Sequence, residues 1–155
     1  MLIKMIRVPL KITYGILVAL ELALRYGTAP VQAKVIAKRQ SIPIRFIEQV
    51  LQTLRQGGVV DSVRGAQGGY SLKTAPSDLS LADIVEAMNG SLETDVRPMP
   101  TNGQTTRPIH HEALLSTIWG RVRQAELDVL NSVTLETLTK QYTQLEQEQV
   151  PMYHI

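Results

Sequence analysis

The sequence contains no cysteine, and only one Trp, one Phe and five Tyr among its 155 residues are aromatic. The lack of cysteine excludes disulfides and any all-cysteine zinc or iron–sulfur site. It is compatible with a cytoplasmic protein, which is the localisation we expect. The small number of aromatic side chains disfavours an RNA-binding or duplex-shape module, which would stack bases on several exposed rings.

No apolar run is long enough to predict a membrane span. The longest, residues 12–26, is interrupted by Glu21, whereas a span needs about 18 apolar residues without interruption. No small-residue cleavage site follows this run. We therefore expect a buried core helix here and no association with a membrane.

The motifs of a catalytic or phosphate-binding site are also missing. The glycine-rich segment RGAQGG, residues 64–69, lacks the Lys-Ser/Thr pair of a P-loop and does not lead into a predicted helix. The sequence shows no recognisable nucleophile–base pair or paired carboxylates. We predict that the protein is not an enzyme.

Positive charge is concentrated in the first half of the chain. Residues 1–73 contain eleven Lys/Arg and three Asp/Glu, a net charge of +8, whereas residues 74–155 contain five and eleven, a net charge of −6. This asymmetry favours a polyanion as the partner of the first half and protein or solvent as that of the second. Chance clustering on a solvated surface is the alternative explanation.

The order of predicted elements in the first half is helix, helix, short turn, helix and β-hairpin. The first helix is predicted over 11–26, and the second from Pro30 to 40, with Val31, Val35 and Ile36 facing inward. "QSIP" then breaks the chain, with Pro43 expected at the first position of the third helix. This order is that of a helix-turn-helix followed by a wing.

The third predicted helix, residues 44–56, has an apolar face and a polar face. We expect Ile44, Ile47 and Leu54 to lie in the core with Val50 or Leu51. The opposite face is suited to reading base edges in the major groove, because arginine binds guanine, glutamine binds adenine and glutamate accepts from the cytosine amino group. The predicted reading residues are Arg45, Glu48, Gln49 and Gln52.

The hairpin places a positive charge at its tip, between β-prone runs at 59–63 and 70–72. Gly65, Gly68 and Gly69 are explained by turn geometry, because turn residues often need φ > 0. Arg64 is not explained in this way, and an arginine at the tip of a wing can enter a narrow minor groove. The predicted DNA-contacting set also includes Gly65, Gly68, Gly69 and Tyr70 in the wing, Lys11 and Lys38 as phosphate contacts, and Tyr14 and Phe46.

The second half of the chain predicts an oligomerisation arm. A capped helix with a Ser80–Asp83 capping box ends at Gly90, a linker follows over 91–110, and a long helix extends over about 111–131. The apolar residues of this long helix repeat every three or four positions, which predicts that it packs along a second helix. A last amphipathic helix follows it. The predicted dimerisation residues are Leu115, Ile118, Trp119, Val122, Ala125 and Val129.

Long segments of this sequence resemble the Rrf-two family of bacterial winged-helix transcriptional regulators. The resemblance is carried by LKITYGILVALELAL, by residues 36–72, by SLADIVEAMNG and by IWGRVRQAELDVLNSVTLETL. The family's LEQ motif stands here as Ile47-Glu48-Gln49, and VRG…GGY spans residues 63–70. The closing PMYHI is similar to the branch that contains cysteine-metabolism repressors. The resemblance implies a mainly α protein with an N-terminal winged helix-turn-helix and a long dimerisation helix.

The sequence departs from the family's iron–sulfur members, which place three cysteines between the fourth helix and the long helix. Residues 91–113 contain none, and Val8 and Thr13, near the family's N-terminal ligand position, carry no carboxylate. His110 and His111 are nearby, but adjacent residues at a helix start point in different directions. We expect no cofactor and no metal.

The resulting prediction is a sequence-specific DNA-binding regulator that acts as a homodimer on a palindromic operator, as a repressor. Its predicted parts are a DNA-binding domain over 1–90, a linker over 91–110 and a dimerisation and C-terminal region over 111–155. Its expected partners are double-stranded DNA, a second copy, and a regulatory protein or a small-molecule effector. The alternative is a protein-interaction module whose acidic second half docks a partner, with DNA binding secondary.

Overall fold

A computed structural model describes residues 8–89 and 109–149 of the chain. Within these residues it is mainly helical, with one two-stranded antiparallel sheet, as the sequence predicted. The elements are α1 Leu10–Ala23, α2 Ala33–Gln40, α3 Ile44–Gln56, β1 Val60–Val63, β2 Gly69–Leu72, α4 Leu81–Asn89, α5 Ile109–Ser132 and α6 Leu135–Gln149.

Helix α1 lies at the centre of the core and contacts α3, α4 and α6. Val18 and Ala19 are fully buried, and Leu22 is nearly so. A helix that is apolar on most of its surface has to be covered by other elements on several sides. This packing accounts for the long apolar run that could be mistaken for a membrane segment. In the part of the chain that the structure describes, no helix combines the length and apolar character needed to cross a bilayer.

Helices α2 and α3 are joined by a short turn centred on Ser41, which adopts a left-handed conformation with φ 53°. The Ser41 N–H donates to the carbonyl of Lys38, and the Ile42 N–H donates to the carbonyl of Ala37. These two bonds form a Schellman motif, which ends a helix and satisfies its last carbonyl groups. Ile42 is buried, so its side chain fixes the turn to the core.

Three details of the predicted helices are wrong. Helix α2 begins at Ala33, and Val31 pairs with Tyr70 instead of belonging to the helix. Val35 and Ile44, both expected in the core, are 37% and 45% exposed. Each lies close to the start of a short helix, where few neighbouring elements can cover a side chain. Helix α3 has the predicted bounds, but Pro43, expected at its first helical position, is instead the residue that caps its start.

The wing is a two-stranded hairpin in which Val60 pairs with Leu72 and Val63 with Gly69. The segment before α2 extends it, because the Val31 N–H donates to the Tyr70 carbonyl over 2.9 Å and the Tyr70 N–H donates to the Val31 carbonyl over 2.8 Å. These bonds fix β2 to the segment just before α2. The wing is therefore held to the helix-turn-helix by main-chain hydrogen bonds.

Helix α4 begins with the predicted capping box. The Ser80 N–H donates to Asp83 Oδ2 over 2.9 Å, and the Asp83 N–H donates to Ser80 Oγ over 3.2 Å. Each side chain satisfies a main-chain donor that the helix leaves free. The predicted end of this helix, Gly90, lies outside the described residues.

The chain returns to the winged unit after α5. The Leu81 N–H donates to the Val133 carbonyl and the Leu135 N–H to the Leu79 carbonyl, each over 2.9 Å. Leu135 is fully buried in the core, and α6 packs against α1. The start of α6 is thus part of the N-terminal core, which the sequence did not predict. Most of the predicted linker lies outside the described residues, and residues 109–110 are the first two of α5.

Candidate nucleic-acid interface

Helix α3 presents one buried face and one exposed face. Its core side chains are at most 6% exposed and are Ile47, Val50, Leu51 and Leu54. All four predicted reading residues are exposed and are Arg45, Glu48, Gln49 and Gln52. Their spacing by three and four residues places them on the same side of the helix. The structure therefore leaves a polar face with arginine, glutamate and glutamine side chains open to a ligand.

The first turn of α3 combines a cation with an aromatic ring. The guanidinium carbon of Arg45 lies 5.8 Å from the centre of the Phe46 ring, which is 42% exposed. A guanidinium at this distance is attracted to the ring face, by about 0.5–1 kcal/mol at an exposed site. An attraction of this size favours the arginine conformation that lies over the ring.

The tip of the wing holds Arg64 at the surface. Beside it Gly65 has φ 114°, and a Cβ built on this glycine would have no neighbour within 4 Å. The Gly68 N–H donates to the Gly65 carbonyl over 2.9 Å and closes the turn. A side chain at Gly68 would overlap the carbonyl oxygen of Val63. The glycines are thus required by the turn, which leaves Arg64 exposed.

The remaining predicted DNA contacts differ in their surroundings. Lys11, in the first turn of α1, and Lys38, near the end of α2, are exposed. Tyr14 and Tyr70 are partly buried and pack against the core. We therefore expect these two tyrosines to contribute packing as well as any contact with DNA.

Helix α5 carries an apolar stripe that the rest of the described chain does not cover. Leu115 is 48% exposed, Ile118 52%, Trp119 58%, Val122 36% and Val129 63%. Ala125 is exposed as well. Together these six residues form the α5 stripe, and contiguous exposed apolar surface of this kind marks interaction sites.

The described residues offer no set of ligands for a metal or an iron–sulfur cluster. Nowhere in them do three or more His, Cys, Asp or Glu side chains lie close enough together to hold a metal ion. The chain also has no cysteine. His110 and His111 are both exposed at the start of α5. Thiolates are the usual ligands of iron–sulfur clusters, so the residues present do not fit such a group.

Residues 9–141 match the Rrf2 protein family, which is described as an iron-dependent transcriptional regulator. The chain belongs to the Rrf2 family. Among its Rrf2 relatives, CymR of Bacillus subtilis is 33% identical over 95% of this chain and 99% of its own length. IscR of Vibrio atlanticus is 30% identical over 86% of this chain and 75% of its own length.

Solved Rrf2 structures have the same fold. The chain is similar to T. potens IscR, with a TM-score of 0.74 and 33% identity over 97% of this chain and 98% of that one. It is also similar to CymR (YrzC), the global cysteine regulator of B. subtilis, with a TM-score of 0.68 and 32% identity over 88% and 98% of the two chains. The predicted winged helix-turn-helix architecture is confirmed. The broader part of the predicted function is confirmed as well: this chain is a DNA-binding transcriptional regulator of the Rrf2 family.

Proposed function

We propose that this Rrf2 regulator binds a palindromic operator as a homodimer and represses transcription in the cytoplasm. The observation that carries the proposal is the α5 stripe, defined above, which stays exposed in the single chain. Helix α5 has 24 residues, so it is about 36 Å long. A second copy of the same helix offers an apolar stripe of matching length, which is the arrangement expected at a twofold interface.

A twofold dimer would present two copies of α3 to the same side of a duplex. Each α3 would enter a major groove, and the two half-sites would be one helical turn or a multiple of it apart. The operator would then be palindromic, because its symmetry follows that of the protein. Repression follows where such an operator overlaps a promoter, since the bound dimer would exclude the polymerase.

Within each half-site we assign three kinds of contact. Arg45 and Gln49, with their neighbours on the exposed face of α3, would read base edges in the major groove. Lys11 and Lys38 would neutralise phosphates, which adds affinity for any sequence and makes binding depend on salt. Arg64 would enter the adjacent minor groove, where A·T-rich sequence narrows the groove and strengthens its negative potential.

We also propose that this member senses its signal without a resident iron–sulfur cluster and has no enzymatic activity. The family's description names iron, but the cysteine-free chain lacks the usual thiolate ligands. A small molecule or a regulatory protein would act instead on the residues before α5 or on α5 itself. Protein purified without oxygen should be colourless. Absorbance between about 320 and 600 nm with stoichiometric iron and sulfide would contradict this assignment.

Binding of purified protein to fragmented genomic DNA, followed by sequencing, tests the proposal as a whole. Selection at two salt concentrations separates specific sites from phosphate-driven binding, because the latter falls steeply with salt. We expect the retained fragments to share a palindromic sequence. A shared asymmetric site of a single half-site length would contradict the homodimer, and the absence of any shared sequence would contradict sequence-specific binding.

A further inference from the structure

One carboxylate is buried inside the winged unit. Glu21 is only 3% exposed, in a helix whose other buried side chains are apolar. An ionised carboxylate removed from water is costly unless hydrogen bonds and opposite charges replace its hydration. In the sequence this residue stands out only as an interruption of an apolar run. Its surroundings show a more specific arrangement.

Three side chains converge on the Glu21 carboxylate. Gln40 Nε2 donates to Oε1 over 2.6 Å, Arg39 Nε lies 3.3 Å from Oε2, and Arg25 Nη1 lies 3.5 Å from the same oxygen. Arg25 is four residues from Glu21 along the chain, so its contact joins nothing that is distant in sequence. Gln40 and Arg39 are the last two residues of α2. Two of the three contacts therefore join α1 to the end of α2.

The end of α2 determines the direction of the reading helix. Gln40 is followed at once by Ser41, the left-handed residue of the turn, and α3 begins three residues later. The Glu21 contacts thus join α1 to the end of α2 at the entrance to the turn.

We infer that Glu21 is a positioning residue for sequence-specific DNA binding: by holding Gln40 and Arg39, it fixes the angle at which α2 and the turn present α3. This inference rests on the operator binding proposed above. Hydrogen bonds to base edges need donor–acceptor distances of about 2.7–3.2 Å, so a small rotation of α3 breaks them. Attraction to phosphates depends mainly on charge and tolerates the same rotation. Loss of the Glu21 contacts should therefore reduce the preference for operator over other DNA.

A pair exchange tests this inference. Gln40→Glu places two carboxylates where an amide and a carboxylate now meet, and the double variant Glu21→Gln/Gln40→Glu restores one of each with the net charge of the wild type. Arg25→Ala is the matched control, because it removes a contact of Glu21 that does not involve α2. For each protein, the dissociation constants for operator and for unrelated duplex are measured at one salt concentration. Circular dichroism establishes which variants are folded.

We expect Gln40→Glu to lower the operator preference by about tenfold or more, the effect of losing one good base contact. The double variant should recover most of it, and Arg25→Ala should change it by less than about threefold. If Gln40→Glu does not fold, Gln40→Ala, which removes the hydrogen bond without adding charge, takes its place. An unchanged preference in the Gln40 variant, no recovery in the double variant, or an equal loss in Arg25→Ala would overturn the inference. If the wild type itself shows no operator preference, the proposed function fails instead.

Discussion

Replacing Ile118 in the α5 stripe with alanine should weaken dimerisation without disturbing the fold of each subunit. Ile118 is 52% exposed in the single chain, so about half of its side chain remains to be buried by a partner. Complete burial of an isoleucine side chain contributes about 1.5–3 kcal/mol. Alanine also has a higher helix propensity than isoleucine, so α5 itself should not lose stability.

The size of the effect follows from this exposed fraction. Half of the burial energy is about 0.8–1.5 kcal/mol for each subunit, and a twofold interface contains the residue twice. The dimer should therefore lose about 1.5–3 kcal/mol, which corresponds to a dissociation constant about 10 to 100 times higher. Sedimentation equilibrium over a range of protein concentrations measures this constant directly.

Leu145→Ala provides a matched control for this measurement. Leu145 is 57% exposed, similar to Ile118, but it lies on α6 and outside the stripe. We expect its removal to leave the dissociation constant unchanged. Equal constants for the two variants would refute the assignment of the interface to α5, and a wild-type protein that is monomeric at micromolar concentration would refute the dimer.

Three further predictions concern the DNA-binding unit. Gln49→Ala should lose about 1–3 kcal/mol of DNA-binding free energy, and only at particular base positions. Lys38→Ala should weaken binding to all DNA sequences alike and reduce the salt dependence of binding. The same uniform loss of affinity from both variants would exclude major-groove reading by Gln49. Arg64→Ala should cost more affinity on A·T-rich flanks than on G·C-rich ones in mobility-shift titrations, and should change the free energy of unfolding by less than about 0.5 kcal/mol; equal affinities on both flanks would remove the minor-groove role. Gly69→Ala should lower the free energy of unfolding by more than about 1 kcal/mol in urea titrations. At φ 154° its new Cβ would lie 2.6 Å from main-chain atoms of Val31, the residue that pairs with Tyr70. The loss should be larger than that of Gly65→Ala, where no atom lies within 4 Å of the new Cβ.

Patterns within one element were predicted most reliably. The period of three and four residues in α3 separated its buried face from its exposed face, and the Ser80–Asp83 spacing predicted the capping box that the structure contains. Both signals depend on residues that are close in sequence, so local helix geometry is enough to interpret them. The glycines of the wing indicated a turn for the same reason.

Contacts between distant segments could not be predicted in this way. The pairing of Val31 with Tyr70, the burial of Leu135 against the N-terminal core, and the contact of Glu21 with Gln40 each join residues far apart in the sequence. Helical periodicity indicates that a face is covered, but it does not identify the element that covers it. For the same reason Ile44, on the expected core side of α3, was assigned to the core although nothing covers it fully.

A hydroxyl-radical footprint on a selected operator tests the central claim most directly, because it maps every protected sugar on both strands. A homodimer that places one α3 and one wing on each half-site predicts protection related by a twofold axis, with half-site centres about 34–36 Å apart or a multiple of that distance. Arg64→Ala should remove the protection at the two outer minor-groove positions and leave the inner pattern intact. A single asymmetric protected segment, or a pattern that Arg64→Ala does not change, would contradict the account.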